Sequence, residues 1–222
     1  MAAVIITKEN QMKNFFEKFL FPPHIYKNLN ENKLTLLIGI LFVGLADLVF
    51  FIDKNASNLF AHNPKTALNY VIIIIAVFVI GAVDVLFFGI PVYDLLKVFK
   101  KQEGTKDVYG SRRLPVMVLK IYIMAHFTVI PIHVVTYFLT KDFTVENFPE
   151  ALVYFLLFLE LVLTIWFFAL ISRGINSIYR LDPFFKRLVF PAVLLWGTIL
   201  GIVLEQGINE LLIKVFYIPP VA

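Results

Sequence analysis

From Asn69 to Val92 the chain runs NYVIIIIAVFVIGAVDVLFFGIPV. Residues 70 to 83 carry no charge, and with the following LFFGIP the run is long enough to cross a bilayer as a helix, which takes ~20 residues. A buried helix of a soluble domain is apolar over a shorter distance and keeps a wetter face. One ionisable group interrupts the run, Asp84. A carboxylate at membrane depth is costly unless it faces a polar interior or a partner. The remaining helices are therefore expected to supply one.

Composition supports a membrane domain. Of 222 residues, 59% are hydrophobic and only 16% charged, against about 25% charged in an average soluble domain. No stretch between the apolar runs is long enough for a separate soluble domain. The chain has no cysteine, which removes disulfides, thiolate nucleophiles and cysteine metal sites. Its basic residues lie beside the apolar runs, so membrane topology explains them better than nucleic-acid binding does. No short apolar core with a small-residue cleavage site stands at the start, and no cleaved signal peptide is expected.

In chain order, residues 1–33 form an N-terminal cytoplasmic or interfacial segment and residues 34–222 a five-helix transmembrane domain. Met12, Phe15, Phe16, Phe19 and Leu20 recur at helical spacing, with Lys13, Glu17 and Lys18 on the other face. This predicts a short interfacial helix over 9–21, stopped by Pro22 and Pro23. Span one is expected from Leu34 to Ile52, followed by the polar loop DKNASNLFAHNPK. Span two is the opening run, with Pro91 at its end. A charged loop follows over 93–113, then span three from Leu114 to Leu139, kinked at Pro131. Span four covers Glu150 to Ser172. Span five starts near Leu188 and stays uncharged until Glu205. The fold class is an all-α polytopic bundle.

Topology follows from charge. Fifteen Lys and Arg lie in the N-terminal segment and the 93–113 and 173–187 loops; the other side holds four, Lys54, Lys65, Lys141 and Lys214. Lys and Arg accumulate on the cytoplasmic side. The N-terminus is thus expected in the cytoplasm and the C-terminus outside.

Seven ionisable residues fall inside the expected spans: Asp47, Asp84, Lys120, His126, His133, Glu160 and Glu205. At 1.5 Å of rise per residue, Lys120 and Asp84 come out about 9 and about 12 Å from the cytoplasmic ends, an ion-pair expectation. His126 and Glu160 both fall near about 18 Å, and Asp47, His133 and Glu205 deeper, at roughly 20 to 28 Å. His126 and His133 lie two turns apart and can share a face. These side chains suit either a proton or ion path or a set of helix fasteners. The chain holds no His-Glu-x-x-His pattern, nucleophile elbow or phosphate loop, so no dedicated metal site, cofactor or catalytic centre is expected. Gly197 and Gly201 form a Gly-x-x-x-Gly step suited to tight helix packing.

Three stretches resemble the Yip1 family of small five-span membrane proteins. They are FLFPPHIYKNLNENKLTLLIGI, LKIYIMAHFTVIPIHVV, and LTIWFFALISRGINSIYRLD with Trp166, Leu170, Gly174 and Tyr179. The resemblance implies five helices, a cytoplasmic N-terminus and a role in membrane organisation or trafficking. Eukaryotic members often carry an Asp-Leu-Tyr-Gly-Pro element before span one. Here Asp107, Val108, Tyr109 and Gly110 stand after span two, without the proline, and the N-terminal region is short. A prokaryotic-type member is implied, in a prokaryotic plasma membrane and without the GTPase contact. The main expectation is thus an adaptor or structural protein, with membrane lipids and self-association or another membrane protein as partners. The alternative is a small transporter or channel using the intramembrane Asp, Glu and His residues.

Overall fold

A computed structural model of the chain describes residues 20–29, 32–61, 67–102, 113–141, 149–179 and 181–216. The described residues are helical but for short connections. A single-turn helix α1 (Pro23–Lys27) is followed by α2 (Lys33–Ala61), α3 (Ala67–Gln102), α4 (Arg113–Thr140), α5 (Glu150–Ile178) and α6 (Pro183–Phe216). Helices α3 to α6 are each long and apolar enough to cross a membrane. The chain is an all-α, multi-spanning membrane bundle. Ile74, Phe87, Leu157, Phe158 and Leu195 point outward, as a helical surface bathed in lipid requires. Phe88, Val85, Leu96, Val118, Ile121, Leu170 and Ile171 fill the interior.

Several helices outrun their expected ends. DKNASNLFA belongs to α2 rather than to a loop; it holds neither proline nor glycine, and Pro64 is the first stop signal. Pro91 does not end α3 either. Beyond it Val92, Leu96 and Phe99 stay buried at helical spacing, while Lys97 pairs with Asp94 at 2.7 Å on the outer face. A proline inside a helix frees the carbonyl four residues earlier. Here that is Phe87 O, and the Trp196 indole N–H of α6 donates to it at 3.2 Å. Helix α4 likewise runs on through Pro131. Helix α6 starts at Pro183, ahead of Leu188, because proline at a first helical position gives up no needed donor. The interfacial helix expected over 9–21 lies outside the described residues apart from Leu20 and Phe21, which are not helical.

Two close approaches set the bundle. Helices α2 and α3 cross with backbone against backbone. A Cβ at Gly44 would run into Val77 O, and one at Gly81 into Ile40 O. Only glycine permits this. The second contact latches the N-terminal element to α5. Tyr26 is fully buried, and its hydroxyl reaches the carbonyls of Leu20 at 2.9 Å and Leu170 at 3.1 Å. Arg173 Nε donates to Phe21 O at 2.9 Å, and the Tyr26 ring lies where a side chain on Gly174 would stand. Burial pushes the Tyr26 phenol well above the ordinary tyrosine range, opposed by the Arg173 charge.

Candidate functional site

The Gly44·Gly81 crossing places a pair of acids. Each glycine precedes an aspartate by three residues, in Gly-Leu-Ala-Asp47 and Gly-Ala-Val-Asp84. The helices run antiparallel, so the two Cα atoms lie on opposite sides of the crossing. Helical side chains lean toward their own N-terminus. Each carboxyl therefore leans back toward the crossing, and the two converge.

Helix α4 brings the other half. Tyr122 and His126 are one turn apart and face α3. The Tyr122 hydroxyl donates to Asp84, 2.9 Å from Oδ1 and 3.0 Å from Oδ2. His126 Nε2 stands 3.8 Å from Asp84 Oδ2. Its Nδ1 lies 3.1 Å from the Tyr122 carbonyl. A carbonyl only accepts, so Nδ1 carries a proton, and Nε2 is the nitrogen turned toward the carboxyls. Aromatic rings hold this geometry. Phe88 stacks on Tyr122 with centroids 4.0 Å apart, and Phe167 meets His126 edge-on at 4.8 Å. One ligand atom from each of Asp47, Asp84 and His126 lies within 4.8 Å of the others.

Above this cluster is a cavity of about 660 Å³ between α2, α3, α4, α5 and α6. Its wall includes Asp47, Asp84, His126, His133, Glu160 and Glu205, six of the seven ionisable residues singled out from the sequence. His133 pairs with Glu160, Nδ1 to Oε2, at 3.5 Å. Since seven residues separate the histidines, this second tier stands about 10 Å along α4 from the first. Thr164 and Thr198 add hydroxyls, and among the described residues no Lys or Arg lines the wall. Four carboxyls and two imidazoles make a cavity suited to cations.

The expected pairings are redistributed. Lys120 does not meet Asp84. It reaches the start of α2, donating to Asn32 O at 2.9 Å and Thr35 Oγ1 at 2.6 Å. Two residues along a helix are about 200° apart, so Lys120 and Tyr122 cannot serve the same neighbour. His126 meets Asp84 rather than Glu160, and Glu160 meets His133. Along its helix Asp84 is about 27 Å from the end of α3, and Asp47 is about 21 Å from the start of α2; the crossing of the two helices brings their carboxyls together. Gly197 packs on the Phe168 ring, while a Cβ at Gly201 would meet nothing within 4 Å. The Gly-x-x-x-Gly step is thus half packing contact and half cavity wall. The sequence reading missed Tyr122. Its spacing of four from His126 and eleven from His133 places all three on one helical face.

No protein-family model matches the chain, and no curated protein or solved structure is significantly similar to it.

Proposed function

We propose that this protein is a small membrane transporter or channel that passes a cation, the proton included, through the cavity between α2 and α6. The observation that carries the reading is the gathering of Asp47, Asp84, His126, His133, Glu160 and Glu205 on one cavity wall, with Lys120 turned elsewhere. Polar groups that merely fasten helices would be dispersed among separate interfaces and closed off by partners. Here Glu160 stays 62% exposed and Asp47 Oδ2 is buried without a hydrogen-bond partner. Helix α2, 29 residues long and packed along α3, is the fifth span in this reading. The charge split then places the N-terminal segment in the cytoplasm and the end of α6 outside. No catalytic role is assigned.

The test is purified protein in liposomes under a pH or cation gradient. Flux that disappears in Glu160→Gln and His126→Ala, with helical content and melting unchanged, supports the reading. Flux equal to that of empty liposomes across protons and monovalent and divalent cations argues against it.

A second reading, an adaptor of the Yip1 type, draws support from one contact. Two of the three stretches that carry the resemblance pack together, Phe21 and Tyr26 on Leu170, Arg173 and Gly174. This gives those residues a shared reason to be present without reference to the cavity. An adaptor would keep its function when the cavity residues are neutralised and lose it when the Tyr26 latch is broken.

A further inference from the structure

We infer that Asp47, Asp84 and His126 form a binding site for a divalent first-row transition-metal ion. This deepens the cation-transport reading and rests on it for the ion's route, but not for its binding. Three ligand-type atoms point at one another in the cluster. With Nδ1 committed to the Tyr122 carbonyl, Nε2 is the His126 nitrogen that faces Asp84 Oδ2, 3.8 Å away. Asp47 Oδ2 is fully buried and has no hydrogen-bond partner. The convergence of carboxyl oxygens in a buried site is an unfavourable arrangement. A cation at their centre resolves it.

The dimensions fit. In a tetrahedral site with metal–ligand bonds of about 2.0–2.1 Å, neighbouring ligand atoms stand about 3.4 Å apart. The His126–Asp84 edge at 3.8 Å needs to close by about half an ångström, and the edges to Asp47, which lie within 4.8 Å, by up to about 1.4 Å, within the reach of side-chain torsions. The supporting contacts are those of a metal site. A ligating imidazole donates its other N–H to a carbonyl or carboxylate, and a ligating carboxylate is itself hydrogen-bonded. The Tyr122 carbonyl and hydroxyl do both. Charge also balances. Two carboxylates and a neutral imidazole around a divalent ion sum to zero, which lowers the cost of holding each charge at membrane depth. The mixed nitrogen and oxygen donor set favours zinc-like ions over calcium or magnesium, which prefer oxygen alone. The cavity leaves the remaining coordination position open.

The test uses the full chain, purified without a histidine tag and titrated with Zn²⁺ by calorimetry. One ion per chain is expected. Asp47→Asn and His126→Ala should each weaken binding at least tenfold, and Asp94→Asn, on the outer face of α3, should leave it within twofold. As a measurement needing no variant, Co²⁺ bound to the unaltered chain should give visible absorption bands of a four-coordinate site. Absence of saturable Zn²⁺ binding, binding unmoved by Asp47→Asn, or tighter binding of Mg²⁺ or Ca²⁺ would overturn the proposal. Proton flux without Zn²⁺ binding would remove the metal site and leave the transport reading. Zn²⁺ binding without flux would keep the site and remove the route.

Discussion

Replacing Gly81 with alanine tests the geometry beneath the site, and Gly201→Ala is its matched control. A Cβ at Gly81 would collide with the Ile40 carbonyl oxygen and lie 2.7 Å from Gly44 N and 3.0 Å from Gly44 Cα. All three of these neighbours are backbone atoms, so no rotamer change relieves the contact. The helices must part by about an ångström, and such overpacking costs about 1–3 kcal/mol, here toward the upper end. Alanine regains about 1 kcal/mol of helix propensity over glycine. The net expectation for Gly81→Ala is a loss of about 1–2 kcal/mol. At Gly201 a Cβ meets nothing within 4 Å, so only the propensity gain of up to ~1 kcal/mol remains. The two substitutions should have opposite signs. Unfolding followed by circular dichroism in mixed micelles, with increasing denaturing detergent, measures both. Gly81→Ala should also spread Asp47 from Asp84 and weaken Zn²⁺ binding. A Gly81→Ala protein as stable as the original, or an equal loss at Gly201, would refute the backbone crossing.

Tyr122→Phe keeps the stack on Phe88 but leaves Asp84 without its donor, so stability should fall by about 1.5–3 kcal/mol; pairing it with Asp84→Asn should recover part of that loss, and strict additivity would refute the contact. Trp196→Phe removes the donor to Phe87 O freed by Pro91, and a melting measurement should show a loss of about 0.5–1.5 kcal/mol. Tyr26→Phe should cost about 1 kcal/mol and should also alter the alkaline limb. Burial raises the folded pKa of Tyr26, so its contribution is full below the ordinary tyrosine value and is lost as pH rises above it. The fall in melting temperature above about pH 10 should therefore be shallower in Tyr26→Phe. An identical slope would count against the buried phenol.

Much of this architecture was legible in the residues. The apolar run around Asp84, the absence of cysteine and the charge alternation point to a membrane bundle, and six of the seven chosen ionisable residues reach one cavity. What failed was pairing, for two physical reasons. Helix ends were placed where hydropathy falls, yet α2 and α3 continue through polar and proline-containing segments. An error of a few residues at 1.5 Å each moves a side chain by half a membrane leaflet. Partners were also matched by depth alone, although depth says nothing about which face a residue occupies. Lys120 and Tyr122 have similar depth and serve different neighbours. The repeated glycine-to-aspartate spacing at Gly44–Asp47 and Gly81–Asp84 was visible in the sequence. Only the antiparallel crossing of α2 and α3 turns it into a pair of facing carboxyls.

The central claim is that the cavity is a hydrated route within the membrane, and thiol labelling tests it most directly. The chain's lack of cysteine gives a silent background for single substitutions. Cysteine at Thr164 or Thr198 on the cavity wall should react with a charged, membrane-impermeant thiol reagent in intact proteoliposomes. Cysteine at Leu157 or Leu195, which face outward, should not. Equal protection of all four positions would contradict a water-filled cavity, and the transport reading with it.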